Sequence, residues 1–470
     1  MTVGGIIVAR GRTYGSPVDG HPGWRPTSAY TAAVTVGILL LATSVLAGRA
    51  DIALIGIPGL LAATWAHASR PTTPLRADLH EPAGPTAPGE LTATLRLAAG
   101  PGEGADVVHL RITAPGHRTT HLTLAARPQN HAQRQAQKQA HGQTQDREVP
   151  LGLSSVRTGP QQTFTVDLRG SLHGAWEEEP TQVRAATRLV LPGAAPLGRL
   201  PLPRRLRGLT GPHSARRLGD GTELRDIHPF TPGDRLRRID WRTTARRSPE
   251  LDTLYVRRTY STAEATAVLV VDSRDEVGPD VRTWRGYGTI RVDEPTSLDL
   301  ARHAAASVAT ALVEAGDRVG LEDLARRRRP LPPSAGRRHL RRLVHGLALA
   351  HPKDPASAHR VRPPQLPADA IVYLFTTLLD DDPLHLVRIW RAAGHPVVVI
   401  DTLPDVHPVI ESHLAIAWHI GRLEREDRIA ALDGEGIPVV RWAGSQRDQA
   451  AVRFEALAHA ARRHIPGRTP

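Results

Sequence analysis

Three pairs of small polar residues close short apolar runs: Asp272-Ser273 after Ala267 to Val271, Thr376-Thr377 after Ala370, and Asp401-Thr402 after Pro396. In an open parallel sheet ligands sit outside the carboxyl ends of the strands, so these pairs mark where chemistry is expected. Carboxylate and hydroxyl oxygens together suit a hard octahedral cation. The acidic run Asp380-Asp381-Asp382 follows Thr377 closely. It reads as a solvated loop whose last member caps a helix, with cation binding as the alternative. The most specific stretch runs from Gly221 to Arg246 and contains Pro232-Gly233-Asp234 and Ile239-Asp240-Trp241. Pro-Gly favours a tight turn. Asp234 and Asp240 stand among Arg235, Arg237, Arg238, Arg242 and Arg246, a pattern suited to bidentate ion pairs. Trp241 is expected to bury a large face under an arginine. The segment therefore reads as a structural clamp, or as a docking surface for a partner or anionic lipid.

Several classes of chemistry are disfavoured. The chain has no cysteine, which removes disulfides, thiolate metal sites and a thiol nucleophile. Lys138 and Lys353 are its lysines, and neither follows a glycine-rich loop, so a P-loop or a pyridoxal Schiff base is not expected. No Gly-x-Ser-x-Gly or His-Glu-x-x-His motif occurs. The histidines are scattered, and His131 and His141 fall in a Gln/Ala/His-rich tract best read as solvated low complexity. The net charge of +13 comes almost wholly from arginine, in a chain also rich in Gly and Pro. The local cluster Arg326 to Arg329 with Arg337, Arg338, Arg341 and Arg342 lacks interleaved aromatics. It suits anionic headgroups or an acidic protein surface better than nucleic acid.

The elements that must position these residues follow from periodicity. Residues 1–29 read as a flexible basic tail. Two apolar stretches, Tyr30 to Ala47 and Ile52 to Ala68, are each just long enough to span a bilayer. Their short connection makes residues 30–68 a transmembrane helical hairpin. Arg10, Arg12 and Arg25 before it and Arg70 and Arg76 after it place both termini in the cytoplasm, with Arg49 a contrary charge in the link. Residues 88–200 show period-two alternation, as in Leu91 to Leu97, Val107 to Ile112, Thr120 to Leu124, Thr163 to Leu168 and Val183 to Leu191. That predicts a small β-sandwich with a disordered insert over 129–147. Residues 201–262 carry the Pro-Gly-Asp signature. From 263 to 465 strands alternate with helices, among them Ser297 to Ala315 with Ser297 as its cap, Gly336 to Ala350, Pro383 to Ala393, one around Arg422–Asp433, and Arg447 to Arg463. The fold class is therefore α/β, a doubly wound and mostly parallel sheet.

The signature resembles the bacterial domain-of-unknown-function 58 family, whose pattern runs Glu-Phe, Arg-x-Tyr, Pro-Gly-Asp, Arg-x-Ile-Asp-Trp and Ala-Arg. Glu223, Arg225, Pro232, Gly233, Asp234, Arg238 (or Arg237), Ile239, Asp240, Trp241, Ala245 and Arg246 match it, while Leu224 and Phe230 stand where other aromatics are usual. The resemblance extends over about residues 200–460. It implies that the α/β domain is von Willebrand A-like and that a membrane hairpin precedes it. It also implies a MoxR-type AAA+ ATPase as protein partner. Von Willebrand A domains often hold Mg²⁺ on Asp-x-Ser-x-Ser. Here Asp272 keeps the first place, but Arg274 and Glu276 fill the others, and an arginine there repels a cation. What remains is a degenerate metal set of Asp272, Thr376 (or Thr377) and Asp380.

The expectation is a non-enzymatic adaptor or scaffold at the inner membrane, without a cofactor and working with an ATPase partner. A metal-dependent enzyme at Asp272 and Asp380 is the first alternative. A basic binder of lipid or nucleic-acid surfaces is the second.

Overall fold

A computed structural model describes residues 23–71, 74–80, 89–98, 104–126, 147–185, 187–203, 205–206, 211–284, 289–325, 330–352, 363–444 and 447–463. The tail before residue 23, most of the 129–147 insert, Arg326 to Arg329, Lys138 and Lys353 lie outside the described residues. The chain forms two compact units, residues 1–155 with 161–188, and residues 156–160 with 189–470. The expected β-rich region thus gives up residues 156–160 and 189–200 to the second unit. The reason is local: Thr158 donates to buried Asp299 at 2.7 Å, Ala195 N–H donates to Ser307 at 2.9 Å, and Leu200 joins the α/β core.

In the first unit, α1 (Ser28–Ala47) and α2 (Ala50–Ala68) are both long and apolar enough to cross a membrane. Thr27 caps α1 by accepting from Tyr30 N–H, and Gly48 ends it in the left-handed conformation. The linker charge Arg49 is paired with Asp51 at 2.6 Å. The helices approach through small residues: a Cβ on Gly56 would lie 3.2 Å from the Gly37 carbonyl oxygen. Residues 24–26 of the expected tail instead form β1 (Trp24–Pro26). The remaining strands of this unit are β2 (Arg76–His80), β3 (Glu90–Ala98), β4 (Val107–Thr113), β5 (Thr120–Ala125) and β6 (Arg147–Ser154), with β8 (Thr165–Leu172), β9 (Trp176–Glu178) and β10 (Thr181–Arg184). Two short strands, β7 (Gly159–Gln161) and β11 (Arg188–Val190), pair with each other where the chain passes between units. One sheet runs β1-β9-β8-β4-β5 and the other β2-β3-β6, and alternate residues of both, such as Leu95, Leu110, Leu151 and Leu168, fill one core. Trp176 ties the hairpin to this core: its indole N–H donates to Ala66 O at 2.8 Å, and Arg70 lies over its ring at 5.1 Å.

The second unit opens with a hairpin, β12 (His213–Pro229) and β13 (Tyr255–Ala263), enclosing the short helix α3 (Trp241–Arg247). The α/β layer follows: β14 (Thr266–Val271), α4 (Ser297–Glu314), β15 (Arg318–Asp323), β16 (Leu331–Ser334), α5 (Arg337–Ala348) and β17 (Ile371–Thr376). It ends with α6 (Asp382–Ala392), β18 (Val397–Asp401), α7 (Ser412–Gly434), β19 (Val439–Arg441) and α8 (Arg447–Arg463). Strand order is β16-β15-β14-β17-β18-β19, parallel except for the edge strand β16. β14, β17 and β18 are apolar on both faces, and period two divides them between two cores. Leu269, Tyr373 and Ile400 face α4, α5 and α8, whereas Val270, Leu374 and Val399 face α6 and α7. Helix α4 is capped by Thr296 rather than Ser297, because Thr296 and Asp299 form a capping box. Helix α7 begins ten residues before the expected Arg422 start.

Two measurements check this description. Trp390 of α6 is 2% exposed within the second core, so Trp390→Ala should cost roughly 3–5 kcal/mol in denaturant unfolding of the second unit. Glu178 is buried and accepts from Leu75 N–H at 3.1 Å. Burial pushes its pKa from 4.5 up to about 7, against the pull of that hydrogen bond. Between those values the folded state keeps a proton that the unfolded state releases, so stability present at low pH is lost as pH rises through about 7. The thermal midpoint of the first unit, measured on the detergent-solubilised chain, should fall between about pH 5 and pH 8. Glu178→Gln should flatten that slope, and an unchanged slope would reject the assignment.

Candidate functional site

The signature segment is built on an irregular hairpin. Gly219 and Leu224 both stand opposite Thr259, so residues between them bulge out of β12. Glycine is required at the start of the bulge and within it: a Cβ on Gly219 would lie 2.3 Å from that of Ser261, and one on Gly221 2.4 Å from the Tyr260 carbonyl. The bulge presents Asp220 to the turn beyond β12. There Arg235 donates to it at 2.9 Å, and Arg238 reaches both Asp220 and the Gly219 carbonyl. Asp220 was not singled out from sequence, although an aspartate between two glycines is a bulge signal.

The two signature aspartates are used differently from the expected cage of neighbouring arginines. Asp234 closes the Thr231–Asp234 turn, accepting from Thr231 N–H at 3.0 Å and its hydroxyl at 2.8 Å, with Gly233 at φ 104°. Its cationic partner is Arg258 of β13, at 3.2 Å, which the sequence reading missed. Those Thr231 hydrogen bonds, followed by Arg258, hold its pKa down to about 2. Asp240 is the N-cap of α3, accepting from Thr243 N–H at 2.9 Å, and this bond is the main reason its pKa is lowered. The helix is pinned to β13 by Thr244, whose hydroxyl accepts from Tyr255 N–H at 3.0 Å.

Fixing α3 in this way turns the expected burial of Trp241 inside out. Trp241 is 62% exposed, and Leu236, in the preceding 3₁₀ turn (Leu236–Arg238), is 67% exposed. Arg242, Ala245 and Arg246 are exposed beside them. Among the described residues, Arg242 and Arg246 make no ion pair. Arg225, Pro232 and Gly233 are also exposed, Arg225 lying 3.7 Å from Asp226. Glu223 is exposed on the bulge. The segment is thus a scaffold of internal hydrogen bonds carrying an aromatic and basic outer face.

The second candidate is the switch point of the sheet. The chain leaves β14 toward β15 and later returns on its other side as β17, which opens a crevice at the carboxyl ends of these two strands. Asp272, Thr376, Asp380 and Asp382 meet there, around Arg274. The guanidinium donates from Nε to Asp272 Oδ1 at 2.8 Å and from Nη2 to Asp272 Oδ2 at 2.9 Å. It also reaches Asp380 at 3.1 Å and Asp382 at 2.6 Å, while the Thr376 hydroxyl donates to Asp272 at 3.0 Å. Burial opposes the charge on Arg274, but Asp272 and then Asp380 outweigh it and raise its pKa further. One guanidinium cannot neutralise three carboxylates, and Asp380 is raised, first by burial and then by Asp272 against the pull of Arg274. Mg²⁺ does not fit this arrangement, because both oxygens of Asp272 are engaged and the ion would face a fixed positive charge.

The acidic run is thus a solvent-exposed segment, as expected, but an ion-paired one. Asp380 and Asp382 hold Arg274, Asp381 accepts from Arg428 of α7 at 2.5 Å, and the N-cap position of α6 is Asp381, without a side-chain cap. Asp401 is likewise spoken for, by Arg425, which also donates to Thr377 O at 2.9 Å.

Comparison with known families agrees with the placement of the signature. Residues 226–409, from the end of β12 to the loop before α7, match the family described as protein of unknown function DUF58. The match is shorter than the 200–460 of the sequence reading and leaves Glu223 and Arg225 outside. No curated protein matches the chain. The segment that holds the Pro-Gly-Asp turn, the Asp-Trp cap and the switch-point strands is thus a DUF58 domain.

Proposed function

We propose that this chain is a non-enzymatic, membrane-anchored adaptor that offers its signature face to a protein partner. The observation that carries the proposal is the outward setting of Trp241 and Leu236 beside exposed Arg242 and Arg246, which make no ion pair among the described residues. Tryptophan and arginine are the side chains most enriched in interface hot spots, and here both are held on a helix whose own cap and β13 contacts leave that face free. The partner surface that fits is acidic with an apolar recess, and a MoxR-type AAA+ ATPase is the candidate the family resemblance suggests.

In this proposal α1 and α2 form the anchor, with both chain ends on the cytoplasmic side. The hairpin reading draws support from outward-facing Ile38, Leu39, Leu54, Ile55 and Trp65 and from the pairing of Arg49 with Asp51. The α/β unit is taken as von Willebrand A-like. Supporting that reading are the parallel order with one antiparallel edge strand and the helices on both faces. The ion-paired switch point favours a role as a surface over metal-dependent catalysis.

The test is retention of an AAA+ ATPase by the detergent-extracted chain under non-hydrolysable ATP, identified by mass spectrometry. Trp241→Ala with Arg246→Glu should weaken that association by about 30-fold or more. The same substitutions should leave stability within about 0.5 kcal/mol, as expected at exposed positions. Undiminished association in the double variant would reject the docking face. Absence of any AAA+ protein from the wild-type complex would reject the partner.

A further inference from the structure

We infer that the outer face of α5 is a landing surface for an anionic lipid bilayer. Arg337, Arg338, Arg341 and Arg342 are exposed, as is His345 one turn further on. A helix of 3.6 residues per turn gathers these five side chains within an arc of roughly 140°. The other side of α5 is spent on packing: Leu343 and Leu347 are buried in the core that α4 shares, with Leu340 and Val344 against it. Among the described residues none of the four arginines makes an ion pair. The sequence supplies the reason, since no aspartate or glutamate occurs between Asp323 and Asp354. Exposed arginines on the neighbouring helices do have carboxylates, as Arg388 has Glu435 and Arg422 has Glu426. Nor does this charge serve the helix. The arginines stand in its first two turns, at the positive end of the helix dipole, where cations are unfavourable, and neither an acidic residue in the first turn nor a side-chain cap offsets them.

Three features select a bilayer over a protein or a nucleic acid. No large apolar side chain of α5 is exposed, so the face lacks the anchor on which a protein interface centres. The helix has no aromatic residue on which a base could stack. A field of lipid headgroups needs neither, and clustered arginine alone holds to it. The third feature is tethering. With α1 and α2 as the anchor, a premise taken from the proposed function, this unit is confined near a membrane and contact becomes an intramolecular event. Each arginine brought to an anionic surface strengthens association by about fivefold, and the attraction fades within a Debye length. The face shares no residue with the docking surface at Trp241, so either can fail alone.

The chain has no cysteine, so His345→Cys can carry a single thiol-linked fluorophore on the full chain in nanodiscs. The discs hold phosphatidylcholine alone, or with about one third phosphatidylglycerol, and a trace of lipid with a nitroxide on its headgroup as quencher. Quenching should be strong in the anionic discs and weak in the neutral ones, and should fade as NaCl rises from about 50 to about 500 mM. Arg338→Gln, Arg341→Gln and Arg342→Gln together should lower it to the neutral-disc level, whereas Arg338→Lys, Arg341→Lys and Arg342→Lys should keep it. Equal quenching in the two discs would overturn the inference and point to an acidic protein instead. Salt-insensitive quenching, or undiminished quenching in the glutamine variant, would overturn it too. Should the glutamine variant fail to fold, the disc comparison and the salt dependence of the parent decide. A chain that enters neither disc sinks the anchor rather than α5. Sedimentation with phosphatidylglycerol-containing vesicles then decides for α5: binding that falls about 100-fold in the glutamine variant upholds the surface, and absent or unchanged binding overturns it.

Discussion

The second unit depends on one constraint: β14, β17 and β18 are apolar on both sides and cannot leave either face to water. Their alternating side chains must be covered twice, and α4, α5 and α8 cover one face while α6 and α7 cover the other. Covering both faces leaves the strand ends as the place where polar groups collect. Asp272 and Asp401 are drawn there and partly dehydrated, and a dehydrated carboxylate needs a partner. Arg274 and Arg425 are those partners. The electrostatics of the crevice are thus a consequence of how the core is sealed.

Arginine suits this task better than lysine. Its planar fork can satisfy both oxygens of Asp272 while two further carboxylates share the remaining donors. The same device recurs at Arg258 with Asp234, at Arg302 with Asp299, and at Arg428 with Asp381. Arg302 and Asp299 are nearly sealed from solvent and bind Thr158, which fixes residues 156–160 to the α/β unit. A chain with two lysines and many arginines therefore spends part of its basic charge inside, as internal counter-ions. Arg242 and Arg246 are among the arginines left outside.

The signature segment works by the opposite distribution. Its grammar of turn and cap is consumed in backbone hydrogen bonds: Asp234 to Thr231, Asp240 to Thr243, Thr244 to Tyr255. Those bonds make a rigid support from a short helix that packing alone would not hold. What the support displays, Trp241 and Leu236, is left out of the core. The proposed docking face rests on these two apolar side chains kept in water by a rigid frame.

The sequence by itself determined the elements whose patterns are local. The apolar runs located the central strands, most helices fell near their expected places although α7 starts ten residues early and α4 takes its cap from Thr296, and the two N-terminal apolar stretches became two helices. The turn at Pro232-Gly233 and the family were also legible, because both are written in contiguous residues. Tertiary structure alone decided the partners. Asp234 takes Arg258 from the next strand rather than a neighbouring arginine, Arg274 gathers Asp380 and Asp382 across more than a hundred residues, and α3 docks by Thr244 so that Trp241 faces out. Composition places arginines near many aspartates. Which pairs form depends on how strand order and bulges bring distant backbone together, and that is fixed only when both faces of the sheet are sealed.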